Sequence, residues 1–157
     1  MADLKKIAIA SDHGAFELKE LLVSKLQELG YEPQDMGVNS EESVDYPDYG
    51  EKVAKAVSAG EVERGILLCG TGIGMSITAN KFPNVRAALV HDHFTATMSK
   101  KHNNANILVM GARILDVDTA YEILNAWLNT EYEGGRHDRR LEKISNLEKS
   151  GILKNKV

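Results

Sequence analysis

The sequence has little of what builds disulfide-rich secreted proteins or membrane proteins. Its 157 residues include one cysteine, Cys69, so no intramolecular disulfide can form. No apolar run approaches the roughly 20 residues of a membrane span. The opening MADLKKIAIASDHG has neither a signal-peptide core nor a cleavage pattern. We therefore expect a cytoplasmic protein with no membrane partner.

Excess positive charge and metal-ligand spacing are also missing. Nineteen basic residues against 23 acidic ones give a net charge of −4, which argues against a broad nucleic-acid-binding surface. No cysteine and histidine set has zinc-finger spacing. His91 and His93 are metal ligands by residue type, but no third ligand has convincing spacing. We expect no metal, no cofactor and no nucleic-acid partner, and the length predicts one domain over residues 1–157.

Apolar periodicity predicts alternating strands and helices. Short, nearly continuous apolar runs are typical of strands buried on both faces, and longer segments with helical spacing separate them. The predicted strands are Lys6–Ala10, the weaker Tyr31–Met36, Gly65–Cys69, Val85–Val90 and Ala105–Met110. The predicted helices are Ala15–Leu29, Pro47–Ser58, Ile73–Lys81, Phe94–Lys101, Thr119–Leu128 and Asp138–Ser150. This order predicts an α/β fold: a single-domain, three-layer sandwich of the Rossmann or flavodoxin-like type, with a parallel sheet of about five strands.

The last predicted helix follows Gly134 and Gly135 and has only a narrow apolar stripe of Leu141, Ile144 and Leu147. A terminal helix of this kind packs either on its own domain or on a partner subunit, and the pattern leaves both open.

Polar residues concentrate where the predicted strands end. Ligands of open parallel sheets bind at the carboxyl ends of the strands. The residues at those ends are Ser11-Asp12-His13-Gly14, Cys69-Gly70-Thr71-Gly72-Ile73-Gly74, His91-Asp92-His93 and Gly111-Ala112-Arg113. So many polar and ionisable side chains at one edge favour a binding or catalytic site there.

The glycine-rich loop after Cys69 offers backbone amides at a helix N-terminus. Such amides bind a phosphate or stabilise an oxyanion. The loop is neither a Walker A loop nor a GxGxxG motif, and a plain strand-to-helix turn is the alternative. A cysteine at this position could act as a base or a nucleophile. A small buried apolar residue is the more common role of a free cysteine.

Three further groups have both functional and structural interpretations. Asp12 and His13 could bind hydroxyls and relay protons, or Asp12 could cap the following helix. His102 follows a predicted helix and would ordinarily be a surface or capping residue. Arg136 and Arg140 share one helical face, which suits either a phosphate clamp or a solvated basic surface.

At these residues the chain resembles type B ribose-5-phosphate isomerases, a family that also holds galactose-6-phosphate isomerase subunits. The resemblance covers nearly the whole chain in order. Its matching segments are Ser11-Asp12-His13-Gly14, Asp45-Tyr46-Pro47, Cys69 to Ser76, Ala79-Asn80-Lys81, His102-Asn103-Asn104-Ala105-Asn106 and Tyr132-Glu133-Gly134-Gly135-Arg136-His137.

The resemblance implies a metal-independent interconversion of ribose 5-phosphate and ribulose 5-phosphate through a cis-enediolate. It implies that Cys69 is the general base, assisted by Thr71, and that His102 and Asp12 act in ring opening. The amides around Gly70, Gly72, Gly74 and Ser76 would hold the enediolate, and Tyr46 and Asn103 would contact the sugar. The phosphate end would take His13, Arg113, Arg136, His137 and Arg140.

Family members are homodimers or dimers of dimers with shared sites, which would place the C-terminal helix, with Arg136 and Arg140, at a neighbouring subunit's site. One subgroup carries Glu as the base where this chain has Met75; retention of Cys69 places the chain with the cysteine subgroup. The alternatives are an isomerase of a six-carbon phosphate, such as allose or galactose 6-phosphate, and a non-catalytic phosphosugar-binding module.

Overall fold

The computed structural model describes residues 3–151, and strands and helices alternate along them as predicted. Every predicted element is present, with its ends within two residues of the expectation. The strands are β1 (Lys6–Ser11), β2 (Glu32–Asp35), β3 (Arg64–Cys69), β4 (Ala87–Leu89) and β5 (Ile107–Gly111). The helices are α1 (Phe16–Glu28), α2 (Tyr46–Ser58), α3 (Ile73–Ala79), α4 (His93–Lys101), α5 (Val117–Asn129) and α6 (Arg136–Lys149).

The five strands form one parallel sheet in the order β2-β1-β3-β5-β4. The central strands are buried on both faces because helices cover both. One face packs on α1, α4 and α5 through residues such as Ile9 and Leu68. The other packs on α2 and α3 through alternating residues such as Ala10 and Cys69. The predicted three-layer α/β sandwich is therefore confirmed.

Strand β4 is shorter than predicted, since only Ala87–Leu89 join the ladder. Two asparagine side chains complete the hydrogen bonding around it. Asn80 bonds both the N–H and the carbonyl of Ala87, at 2.9 and 3.0 Å. The Arg86 N–H donates to Oδ1 of Asn106 at 2.7 Å. These amide side chains bond an edge strand that has a neighbour on one side only.

Helix α6 keeps much of its apolar stripe exposed, as Ile144 is 46% exposed and Leu147 60%. Exposed apolar side chains also stand on α3, at Ile73 and Ile77, and at Phe94 on α4. None of the helices in residues 3–151 combines the length and apolar character needed to cross a bilayer.

Candidate active site

Most of the predicted site residues lie together at the carboxyl edge of the sheet. Each follows a strand directly or begins the next helix, because the chain leaves every parallel strand at this edge. The residues placed here are Asp12, His13, Tyr46, Cys69, Gly70, Thr71, Gly72, Gly74, Ser76 and Arg113.

Cys69 ends β3 with its side chain in the core, 5% exposed, and its sulfur meets the start of α3. The Gly72 N–H donates to Cys69 Sγ at 3.2 Å, a contact that stabilises negative charge on sulfur. Gly72 allows this turn because its φ is +81°, where a side chain would be strained. Cys69 is therefore buried, as the apolar interpretation requires, but its sulfur also accepts a backbone N–H.

The loop after Cys69 leaves amides available. The Ile73 N–H donates to Thr71 Oγ1 at 3.3 Å, and the Ser76 N–H donates to the Gly72 carbonyl at 3.0 Å. The N–H groups of Gly74 and Met75, by contrast, make no backbone hydrogen bond within residues 3–151. Amides at a helix start that lack a protein acceptor are suited to an anionic oxygen.

Asp12 and His13 lie at the same edge, on the loop after β1. Asp12 makes no side-chain cap hydrogen bond, so the capping alternative is not what the structure shows. Its Oδ1 is buried without a hydrogen-bond partner among the described residues. His13 Nδ1 accepts from the Val44 N–H at 3.1 Å, which leaves the proton on Nε2 and makes that nitrogen a donor.

Arg113 and Tyr46 enclose this edge. A β-carbon added to Gly70 would lie 3.4 Å from the Arg113 guanidinium carbon, so the side chain crosses directly over the glycine loop. A β-carbon on Gly74 would lie 2.5 Å from the Tyr46 ring. Glycine at position 74 therefore lets an aromatic ring rest against the first turn of α3.

A second group of predicted residues lies at the opposite, amino edge of the sheet. Helix α4 starts after β4 at the carboxyl edge and runs back, so its C-terminal end reaches the amino edge. His102 caps that end, and Asn103 follows it. The chain then meets the start of β3, where the Gly65 N–H donates to the Asn106 carbonyl at 2.9 Å.

The two groups stand about 17 Å apart, because the five residue steps of β3 from Arg64 to Cys69 each advance roughly 3.3 Å. His102 and Asn103 therefore do not join Cys69 within one chain. The same holds for the start of α6, whose residues contact His102.

Helix α6 begins at Arg136, two residues earlier than predicted, and this places His137 against His102. The two rings stack with centroids 4.3 Å apart and 17° between their planes. His137 is 4% exposed. Burial lowers its pKa, and the neighbouring His102 and Arg136 add to the effect, which favours the neutral imidazole. Arg136 and Arg140 are exposed on the first turns of the helix.

The loop before α6 is held by Tyr132, whose hydroxyl donates to Asp138 Oδ1 at 2.7 Å. Burial, followed by this hydrogen bond, raises the pKa of Tyr132 to about 12. The loop also places Glu133 Oε1 3.9 Å from His137 Nε2. No role was predicted for Glu133, because only the fold brings it to the two histidines.

A cavity of about 770 Å³ also opens at the amino edge, lined among others by Arg64, Arg86 and Lys100. Burial lowers the pKa of Lys100, and the two arginines contribute. This cavity is remote from Cys69. Its lining carries both signs of charge, because Glu63 and Glu131 stand beside these cations.

His91 and His93 flank Asp92, which caps α4 by accepting from the Thr95 N–H at 2.7 Å. Hydrogen bonds from Thr95 lower the pKa of Asp92. Within residues 3–151, the group of three potential metal ligands whose donor atoms lie within 4.8 Å of one another is His102, Glu133 and His137, and it contains neither His91 nor His93.

Comparison with known proteins identifies the relatives of this arrangement. Residues 7–144 match the family model described as Ribose/Galactose Isomerase. The chain is 47% identical over 145 residues to ribose-5-phosphate isomerase B of Escherichia coli K12, covering 92% of this chain and 97% of that one. It is 43% identical over 143 residues to D-erythrulose-4-phosphate isomerase of Pectobacterium atrosepticum, covering 90% and 94%.

A solved structure agrees with these matches. Ribose-5-phosphate isomerase B of Clostridium thermocellum superposes with a TM-score of 0.90 at 51% identity, covering 92% of this chain and 97% of that one. Both the sequence matches and the structural match span most of the chain. The chain therefore belongs to the ribose/galactose isomerase family.

Proposed function

We propose that the protein is an aldose–ketose isomerase that interconverts D-ribose 5-phosphate and D-ribulose 5-phosphate. The observation that carries the proposal is the contact between Cys69 Sγ and the Gly72 amide, at the start of a helix with further amides free. With Cys69 as the proton acceptor, this contact supports the proposal, because isomerisation through an enediolate needs an acceptor next to donors that stabilise negative charge.

The reaction moves a proton between C2 and C1 of the open-chain sugar. A C–H bond next to a carbonyl is a weak acid, so charge must be stabilised on oxygen as the proton leaves. In the proposal, Cys69 takes and returns the proton with Thr71 beside it, and the amides of Gly70 to Ser76 hold the enediolate oxygens. Preorganised donors of this kind contribute roughly 3–4 kcal/mol each.

The remaining groups open, orient and anchor the substrate. Asp12, with its unpartnered Oδ1, is placed to exchange a proton with a sugar hydroxyl. His13 offers its Nε2 proton, and Arg113 adds a cation over the glycine loop at the same edge. His102 assists ring opening, while Tyr46 and Asn103 contact the sugar. Arg136, His137 and Arg140 bind the phosphate, which positions the reacting carbons.

These groups can act on one substrate only if they come from two chains. A five-carbon sugar phosphate is shorter than the 17 Å or so between Cys69 and the amino edge. We propose a homodimer, alone or within a dimer of dimers, in which the amino edge of one subunit faces the carboxyl edge of its partner. A two-fold axis would then create two equivalent sites.

Exposed apolar side chains support such an interface. Ile73 and Ile77 lie one turn apart on α3, close to Cys69, and Ile144 and Leu147 lie on α6, which carries the arginines. The first pair therefore lies next to the carboxyl-edge residues, and the second lies on the helix that carries the amino-edge arginines. Pairing the two faces across an axis would remove both from water, and exposed apolar patches commonly mark such contacts.

Turnover of ribose 5-phosphate, followed by ketose absorbance in buffer containing EDTA, tests the reaction. In D₂O the product should carry deuterium at the carbon that regains the proton. Absence of ketose formation and of deuterium uptake would overturn the proposal. It would favour a phosphosugar-binding module that performs no chemistry.

Chain length of the substrate needs a direct comparison, because the relatives include an enzyme named for a four-carbon phosphate. Relative kcat/KM on ribose 5-phosphate, erythrulose 4-phosphate, allose 6-phosphate and galactose 6-phosphate separates the candidates. We expect the five-carbon substrate to have the highest value. A higher value for another would keep the chemistry and change the assignment.

A further inference from the structure

Three potential metal ligands converge at the amino edge. The donor atoms of His102, Glu133 and His137 all lie within 4.8 Å of one another. They come from three separate places: the end of α4, the loop before α6 and its first turn. The Glu133 N–H donates to the Lys101 carbonyl at 3.1 Å, so the loop is fixed beside His102.

The ligand atoms are available. His137 Nε2 is buried and has no hydrogen-bond partner among the described residues, while Glu133 Oε1 lies 3.9 Å away. An unpartnered buried nitrogen is costly unless something binds it. Water would satisfy it, and so would a metal ion that accepts its lone pair.

The spacing is close to that of a zinc site. Two imidazoles and one carboxylate are a common zinc set, with bonds of roughly 2.0–2.2 Å and an open fourth position. Tetrahedral bonds of that length put the donors about 3.3 Å apart. Side-chain rotation at the stacked rings and at Glu133, which is half exposed, would close the present separations.

We propose that His102, Glu133 and His137 form an inhibitory binding site for Zn²⁺ or a similar divalent transition metal. The inhibition, though not the binding, rests on the proposed function. Bound metal would take both imidazoles away from the sugar and the phosphate. The enzyme would need no metal for turnover and would lose activity when this ion is present.

Calorimetric titration with Zn²⁺ tests the binding by itself. It should be done in a Cys69→Ser background, so that the thiol is not a competing ligand. We expect one ion per chain. Glu133→Gln should weaken binding at least about tenfold, since even outer-shell partners of metal ligands contribute 10–100-fold. Glu131→Gln, which removes the same charge two residues away, should leave the affinity unchanged.

Kinetics on the native-cysteine protein test the inhibition. Zn²⁺ should inhibit reversibly, with activity restored by EDTA. Glu133→Gln should turn over normally without metal and resist Zn²⁺, and Glu131→Gln should be inhibited like wild type. Lack of stoichiometric binding, or equal binding by wild type and Glu133→Gln, would overturn the site. Tight binding without inhibition would overturn only the inhibitory role.

Discussion

Two inactive variants should complement each other if each active site is built from two chains. Cys69→Ala removes the proposed proton acceptor at the carboxyl edge, and His102→Ala removes the imidazole at the amino edge. Each homodimer should lose activity, by about 10²–10⁴-fold for loss of an acid–base group. A heterodimer joins the intact Cys69 of one chain to the intact His102 of the other, which restores one of its two sites.

The expected magnitude follows from the geometry. Heterodimers co-expressed with two affinity tags and purified through both should have about half the wild-type activity per dimer, because one site is intact and the other doubly altered. The matched control pairs Cys69→Ala with Asp12→Ala. Within any one chain, Cys69 and Asp12 lie together at the carboxyl edge. Each site of this control heterodimer therefore contains one substitution, and the heterodimer should stay inactive.

Recovery of activity would show that the two edges, about 17 Å apart within one chain, come together between two chains of the dimer. A Cys69→Ala and His102→Ala heterodimer as inactive as its parents would refute the reasoning. Failure to isolate any doubly tagged species would also refute it, since a monomer cannot bring the two edges together.

Three further changes test individual contacts. Gly74→Ala should lower kcat/KM with little effect on Tm, because the new methyl group displaces the exposed Tyr46 ring. An unchanged kcat/KM would mean that Tyr46 does not contact the sugar. Asp35→Asn should lower the free energy of unfolding, measured in urea, by about 2 kcal/mol, since it weakens the 2.6 Å ion pair with the buried Lys19. The partial exposure of Asp35 keeps this loss below that for a fully buried pair, and a loss near zero would contradict the prediction. Asp92→Ala should lower Tm near neutral pH, and the difference should shrink once the pH falls below about 3.9. Hydrogen bonds from Thr95 lower the pKa of Asp92, so its stabilisation is fully present above the unfolded pKa and is lost on acidification; a Tm difference that stays constant with pH would be inconsistent.

Much of the fold could be predicted from the sequence because its signals are local. Buried parallel strands are apolar runs, and the helices between them have apolar faces at 3.6-residue spacing. Even the polar β2, with Pro33, was predicted, and its edge position explains why a proline is accepted there. The start of β4 was predicted two residues too early, because the side chains of Asn80 and Asn106 bond the backbone of Ala87 and Arg86 there.

The division of the candidate site between the two edges of the sheet was harder to predict from the sequence. Residues that follow strands were correctly placed at the carboxyl edge. His102 follows a helix, and a helix after a parallel strand returns to the amino edge, so the pattern did contain the signal. No sequence signal placed Glu133 near His137, since their approach depends on how the Gly134-Gly135 turn starts α6.

The central claim, that Cys69 is the proton acceptor of a sugar-phosphate isomerase, is tested most directly by ribose 5-phosphate turnover in EDTA for wild type and Cys69→Ala. Matching thermal unfolding of the two proteins controls for folding. We predict metal-independent turnover by wild type and a loss of about 10²–10⁴-fold in kcat for the variant, with a small change in KM. Undiminished turnover by Cys69→Ala would contradict the account and place the base elsewhere.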